Sequence, residues 1–310
     1  MGRRRKKGRP VSGWLIVDKA YDFGSTEAVS KAKWLFQAQK AGHAGTLDPL
    51  ATGVLPIAFG EATKTAAYVM DAEKHYRFTA KWGERRATDD AEGEVIATSD
   101  KRPSRNAIVS ALESFVGEIE QVPPQFSAIK VGGERAYDIA RDGEAVKLES
   151  RRVMIHDLRL IDMPSTDEAI FEAVTGKGAY VRALVRDLAQ ALGTEGYVSA
   201  LRRLAVGPLR AEDGVTLEAL EAMATPEERD AALLPIIDAL TGLPQASIDG
   251  PQADRLRHGQ AAIVTPAVAK GVRGERAGEV EAVLAVMHDE AVAICTLDGL
   301  KLKPTRVLNP

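Results

Sequence analysis

Gly42-His43-Ala44-Gly45-Thr46-Leu47-Asp48-Pro49-Leu50-Ala51-Thr52-Gly53 is the stretch from which the chain is best read. Three glycines and a proline in twelve positions disfavour a regular helix or strand, so the spacing predicts a shaped loop. The loop holds one imidazole, His43, and one carboxylate, Asp48. Apolar segments flank it: an amphipathic stretch from Ser25 to Phe36 and the run Val54–Phe59. A loop anchored at both ends can present a single reactive acid. A turn in which Asp48 merely caps the backbone has the same composition.

The residues around the loop carry more information. Gly13-Trp14-Leu15-Ile16-Val17-Asp18-Lys19 precedes it, and Gly60-Glu61-Ala62-Thr63-Lys64 and Lys74-His75-Tyr76-Arg77-Phe78 follow. Further on stand Pro124-Gln125-Phe126-Ser127-Ala128-Ile129-Lys130, Lys177-Gly178-Ala179-Tyr180-Val181-Arg182 and Leu201-Arg202-Arg203-Leu204. Together with the loop, these blocks closely resemble, in order, the signature blocks of the TruB family of pseudouridine synthases. The resemblance covers roughly residues 11–210.

It implies a catalytic role for Asp48 as nucleophile, Arg182 as its cationic partner, and Tyr76 as the residue that stacks on the target uracil and handles the C5 proton. It implies that Tyr180 and Leu201 line the base pocket and that His43 fills the space a flipped nucleotide leaves. The implied partner is the T-arm stem-loop of tRNA, modified at uridine 55 without a guide RNA. Lys19, Lys64, Lys130, Arg202 and Arg203 are the candidate phosphate contacts. Two residues depart from the family pattern: Phe126 stands where tyrosine is frequent, and Ala179 replaces a common threonine.

The chemistry read from the residues agrees. Isomerising uridine breaks the bond between C1′ and N1 and joins C1′ to C5, which a positioned carboxylate can begin at C6 or at C1′. No cofactor is expected. The five histidines have no metal-ligand spacing and no Cys-x-x-Cys exists, so no metal is expected. Lys64-Thr65 lacks the glycines of a phosphate-binding loop, and no Gly-x-Gly-x-x-Gly follows a strand.

Composition sets the frame. The 310 residues, 45% hydrophobic, suffice for one large domain or a large and a small one. No apolar run approaches the roughly 20 residues of a membrane span, and the single Cys295 excludes an internal disulfide. A cytoplasmic monomer is expected. Six basic residues fall within the first ten, leaving 35 basic against 44 acidic residues in the remainder. An RNA footprint must therefore be local. Candidate patches are Arg151-Arg152, Arg202-Arg203, Lys74 with Arg77, and Arg85-Arg86.

The expected fold class is α+β: a pseudouridine-synthase fold, mixed and largely antiparallel, plus a small C-terminal β-rich PUA-like domain. The expected domains are a basic disordered arm over 1–10, a catalytic domain over 11–245 and the small RNA-binding domain over 246–310. Strands are predicted at Trp14–Val17, Tyr76–Lys81, Val95–Thr98, Val153–Leu160 and Ile170–Val174. Helices are predicted after Ser104, over Glu134–Arg141, from Val181 to Gly193, over Thr216–Ala224 and over Pro226–Leu240. Two other functions fit the same surface: a non-catalytic RNA folding factor and a guide-dependent synthase of the dyskerin type.

Overall fold

The computed structural model describes residues 8–127, 130–131, 134–135, 148–276 and 278–309. Its strands are β1 (Gly13–Lys19), β2 (Ala41–His43), β3 (Ala51–Phe59), β4 (Lys74–Trp82), β5 (Glu84–Arg86), β6 (Val95–Thr98), β7 (Gly117–Gln121), β8 (Lys130–Val131), β9 (Glu134–Arg135), β10 (Arg151–Asp162), β11 (Glu168–Thr175), β12 (Gly196–Val206) and β13 (Leu209–Arg210). One sheet runs β1-β3-β12-β4-β11-β10-β7, with β2 on β3 and β13 on β12. Every pairing in it is antiparallel except β3 with β12.

That parallel joint sets the centre of the molecule. It places Leu201 opposite Ala51 and Arg203 opposite Gly53, while β4 places Phe78 opposite Leu201 and Tyr76 opposite Arg203. A rung thus crosses the sheet through Lys19, Gly53, Arg203 and Tyr76. Gly53 has φ +99°, and a Cβ there would lie 2.2 Å from the Arg203 carbonyl oxygen, so the close approach requires glycine. The quoted stretch is a loop only over 44–50. Its ends join β2 and β3, because residues 42–43 and 51–53 have ladder partners despite their glycines.

Period-2 alternation sorts the side chains of β1 and β3 to two cores. Trp14, Ile16, Val54 and Ala58 face one, with Leu240 and Val206. Leu15, Val17, Leu55 and Ile57 face the other, under helix α1 (Ser25–Leu35). Burial on both faces explains their near-continuous apolar sequence. Helices α2 (Ala66–Asp71) and α3 (Arg105–Leu112) follow, the latter capped by the Ser104 hydroxyl. Helix α4 (Val181–Ala191) lays Val181, Leu184, Val185 and Leu188 on Phe78, Trp82 and Phe171 of the sheet. It ends before Gly193, φ +67°.

Among the described residues the remaining helices are α5 (Leu217–Ala222), α6 (Pro226–Asp230), α7 (Gly250–Arg257) and α8 (Pro266–Arg273), with strands β14 (Gln245–Ser247), β15 (Ala262–Ile263), β16 (Val280–Met287), β17 (Glu290–Asp298) and β18 (Lys301–Val307). The latter form a second sheet, β14-β16-β17-β18-β15. Its Leu284, Val286 and Ile294 pack into the same core as Trp14 and Ile16, so the C-terminal module shares buried surface with the main sheet.

Several expectations need correction. The arm does not extend to residue 10: Arg9 donates its N–H to Gln37, accepts from Gln39 and pairs with Asp230. Residues 1–7 lie outside the described residues. Glu134 and Arg135 are strand, paired with Val131 and Lys130. Residues 136–141 of that predicted helix lie outside the described residues. Pro226–Leu240 is not one helix. α6 stops at Asp230, and Leu234 exchanges two backbone hydrogen bonds with Trp14 at the edge of β1 before a 3-10 turn over Ile236–Leu240. The C-terminal module also carries two helices, α7 and α8, whose Thr and Asp caps and N-terminal prolines are a clear start signal.

Candidate active site

Asp48 sits in the loop between β2 and β3, its side chain 36% exposed. Arg182 reaches it from the first turn of α4 and is itself nearly buried. Its Nε lies 2.9 Å from Asp48 Oδ2; the N–H is not directed along that line, so the contact is an ion pair rather than an aligned hydrogen bond. The other guanidinium nitrogens are tied down. Nη1 donates to the Thr88 carbonyl at 2.9 Å and lies 3.4 Å from Asp90 Oδ2, and Nη2 donates to the Phe126 carbonyl at 2.8 Å. The Phe126 contribution is its backbone, which no aromatic substitution removes.

Asp90 was not singled out from the sequence. It is buried, accepts from the Glu92 N–H at 3.1 Å and from the Thr88 hydroxyl, and gives Arg182 a second carboxylate neighbour at Nη1. One turn along α4, Arg186 holds the preceding residue, Asp89, at 3.0 Å. Burial outweighs that guanidinium and holds the Asp89 carboxyl above its usual value. Arg182 and Arg186, four apart, thus match Asp90 and Asp89, one apart. The signal available in sequence was the Asp-Asp dipeptide together with an i, i+4 arginine pair.

Asp48 borders two clefts and a small recess. The first cleft, about 550 Å³, is lined by Tyr76 and Tyr180 with the cations Lys74, Arg151, Arg152, Lys177 and Arg203. The recess holds Asp48, Arg182 and Leu201. The second cleft, also about 550 Å³, is acidic, with Asp22, Glu27, Asp90 and Glu92. The structure therefore brings Asp48, Arg182, Tyr76, Tyr180 and Leu201 to one place. His43 stands on β2 opposite Ile57 and is absent from the walls of these clefts.

The phosphate candidates fare differently. Lys19 is 1% exposed and donates to the carbonyls of Ala20 (2.9 Å), Phe23 (2.7 Å) and Pro49 (2.9 Å), so it staples the Asp48 loop and cannot reach RNA. Arg203 is likewise buried and donates to Val54, Thr46 and Gly45, holding the same loop from beneath. Arg202 pairs with Asp18 through both terminal nitrogens. Lys64 is held by Glu61 at 2.6 Å and the Val307 carbonyl at 2.8 Å. The side chain of Lys130 lies outside the described residues. Arg152 and Lys177 also have acid partners, Glu118 and Asp71, each at 3.2 Å, but unlike the others they are well exposed and line the first cleft.

Burial pushes Lys19 down to about 8, against the raising field of Asp48, and Lys74 down to about 8 as well. Deprotonation removes one of the three N–H donors that Lys19 spends on carbonyls. Turnover should therefore fall on the alkaline side with a midpoint near pH 8, and Lys19→Met should flatten that limb from a lower plateau. A pH–rate profile of both proteins checks this; an unchanged limb in Lys19→Met would assign it to Lys74 alone. Both folded values lie below that of the unfolded chain, 10.5. Between about pH 8 and 10.5 the unfolded chain binds more protons, so these two groups add global stability as pH rises even while the loop loosens.

A carboxylate beside an arginine, at the mouth of a cation-lined cleft on this mixed sheet, is an arrangement that can receive a polyanion. In fold, the chain is similar to solved chains of a Cbf5-Nop10-Gar1 complex (TM-score 0.73, 23% identity, 100% of this chain and 92% of that one) and of an H/ACA RNP bound to a substrate RNA containing 2′-deoxyuridine (0.72, 22%, 100% and 92%). The family model described as TruB family pseudouridylate synthase, N-terminal domain, matches residues 33–181, and that described as tRNA pseudouridylate synthase B C-terminal domain matches 182–241. The chain belongs to the TruB family of pseudouridylate synthases. It is 52% identical to the tRNA pseudouridine synthase B of Agrobacterium fabrum over 99% of this chain and 97% of that protein, and 50% identical to that of Caulobacter vibrioides over 99% of each.

Proposed function

We infer that this protein converts uridine 55 in the T arm of tRNA to pseudouridine, with Asp48 as nucleophile, acting as a monomer without a guide RNA. The observation that carries the reading is the Asp48–Arg182 ion pair opening onto a cleft walled by Tyr76 and Tyr180. The target nucleotide is drawn out of its loop, at a cost of a few kcal/mol offset by stacking and phosphate contacts. Asp48 adds to the substrate at C6 or C1′, the C1′–N1 bond breaks, C1′ joins C5, and the bond from the substrate carbon to the Asp48 oxygen is cleaved, returning the free carboxylate. The C5 proton leaves, and N1 ends protonated. Arg182 fixes the direction of the carboxylate throughout. Tyr76, on β4, offers a π face to the uracil and a hydroxyl near the departing proton. Tyr180 and Leu201 close the remaining walls, while Arg152 and Lys177 meet phosphates at the rim. His43 is proposed to fill the vacated place in the RNA, and the C-terminal module to add RNA contacts. No helix among the described residues is long and apolar enough to cross a membrane.

The pocket holds one base, so the loop's shape should matter more than its stem sequence. A panel of T-arm stem-loops checks this. Swapping stem pairs while keeping them paired should change kcat/KM less than about threefold, and replacing the target uridine with cytidine should block reaction, because it mismatches buried hydrogen bonds. A requirement for whole tRNA or for an added RNA would favour the folding-factor or guide-dependent reading.

Affinity should also fall steeply with salt, since binding releases counterions. Deleting residues 1–7, which contain Arg3, Arg4, Arg5, Lys6 and Lys7, should make that dependence shallower without moving the modified position, because phosphate contacts position and do not specify. Filter binding across a salt series measures the first effect. A shift in the modified uridine would show that the arm reads sequence.

A further inference from the structure

Gln121 is the last residue of β7 and is 1% exposed. A buried carboxamide needs partners for both its ends, and here a single residue supplies both. Gln121 Nε2 donates to the Tyr180 carbonyl at 3.1 Å, and its Oε1 accepts the Tyr180 N–H at 2.8 Å. This closed pair of bonds mimics a strand rung between a side chain and a loop backbone. It falls at the entry to α4: Gly178, φ +84°, turns the chain just before, and Tyr180 is the N-cap, whose carbonyl also accepts the Leu184 N–H at 3.0 Å and whose own side chain caps nothing.

The residue opposite Gln121 in the β7–β10 register is Arg151. Its guanidinium lies over the Tyr180 ring, 5.1 Å from the centroid, and donates to the Gly178 carbonyl. One rung of the sheet therefore grips Tyr180 twice, Gln121 by the backbone and Arg151 by the ring face. Gln121 on β7 and Arg151 on β10 are both remote in sequence from the Asp48 loop. Tyr180 leads directly into the turn that carries Arg182.

We propose that Gln121 is a positioning residue of this enzyme, which fixes the Tyr180 backbone and thereby the wall of the base pocket. The proposal rests on the reading of Tyr180 as a pocket residue. Gln121 acts through geometry only and touches no substrate. Misplacing a pocket wall by about an ångström costs up to about 100-fold in rate, whereas affinity for tRNA is carried by phosphates elsewhere.

The test is a double-mutant cycle on the full chain, reading tritium release from C5-labelled uridine in an unmodified tRNA transcript, with thermal melts as a check of folding. Gln121→Met, nearly isosteric but unable to make either bond, should lower kcat about 10- to 100-fold with KM for tRNA within about threefold. In a Tyr180→Ala background the same change should cost less than about twofold more, since coupled residues are non-additive. A wild-type kcat in Gln121→Met, a loss confined to KM, or full additivity with Tyr180→Ala overturns the proposal. If Gln121→Met fails to fold, Gln121→Glu, which keeps the acceptor for the Tyr180 N–H, is read in the same cycle; failure of both to fold assigns Gln121 a purely structural role and also overturns it. An active wild type with an indifferent Gln121→Met sinks this proposal alone. A wild type that releases no tritium sinks the functional reading beneath it.

Discussion

Asp48→Asn should lower turnover by roughly 10⁴-fold or more while tRNA affinity stays within several-fold. The amide has the shape of the carboxylate but little nucleophilicity, and Asp48 makes no contact with the cations at the cleft rim other than through the shared cavity. The substitution also spares the fold. The loop keeps its Lys19 and Arg203 bonds, which go to backbone carbonyls of Pro49, Gly45, Thr46 and Val54 rather than to the Asp48 side chain. Single-turnover tritium release beside equilibrium binding separates the two effects. Product at more than about one percent of the wild-type rate, with deamidation back to aspartate excluded by mass spectrometry, would remove Asp48 from the nucleophile's role.

Arg182 should be almost as unforgiving, and for two reasons that different variants tell apart. The guanidinium serves Asp48, Asp90, Thr88 and Phe126 at once. Arg182→Met removes all four partners and strands the buried Asp90 carboxylate, a loss of about 3–5 kcal/mol for a broken buried pair. It should cost both stability and about 10³-fold in kcat, since the carboxylate loses its direction. Arg182→Lys restores the charge, but a single ammonium cannot fork to four acceptors. It should recover much of the melting temperature and little of the rate. Full activity in the Lys variant would mean that charge alone suffices and that the geometry described here is incidental. Asp90→Asn should lie between: it keeps a hydrogen-bonding side chain next to Thr88 and Glu92 but leaves the buried guanidinium with one counter-charge fewer.

Which of these relations could be read in sequence follows from what sequence encodes locally. β1 was legible as a strand from its apolar residues, the run Val54–Phe59 was visible but not assigned to the strand β3 that it forms, and α4 was legible because its stripe recurs at helical spacing up to a glycine stop. The loop acid and the helix arginine were legible only as members of ordered blocks; nothing in the spacing of residues 48 and 182 places them 2.9 Å apart. That contact depends on a parallel joint between strands about 150 residues apart. Asp90 was missed for the same reason: its value comes from a bridge to Val198 that sets the loop against β12. Lys19 and Arg203, expected as phosphate contacts, are buried instead. A strand cation, whether at the end of β1 like Lys19 or within β12 like Arg203, faces inward when the loop packed against it leaves carbonyls without partners, and no local pattern reveals that. The helix expected at Glu134 had propensity in its favour and lost to pairing with β8.

The most direct test of the account is a single reaction: wild-type protein, a synthetic T-arm stem-loop carrying C5-tritiated uridine at the target position only, and no other RNA. The account predicts release of one equivalent of tritium, with pseudouridine mapped to that position, and no release by Asp48→Asn under the same conditions. Retention of tritium until a guide RNA is added, or equal release by Asp48→Asn, would contradict it.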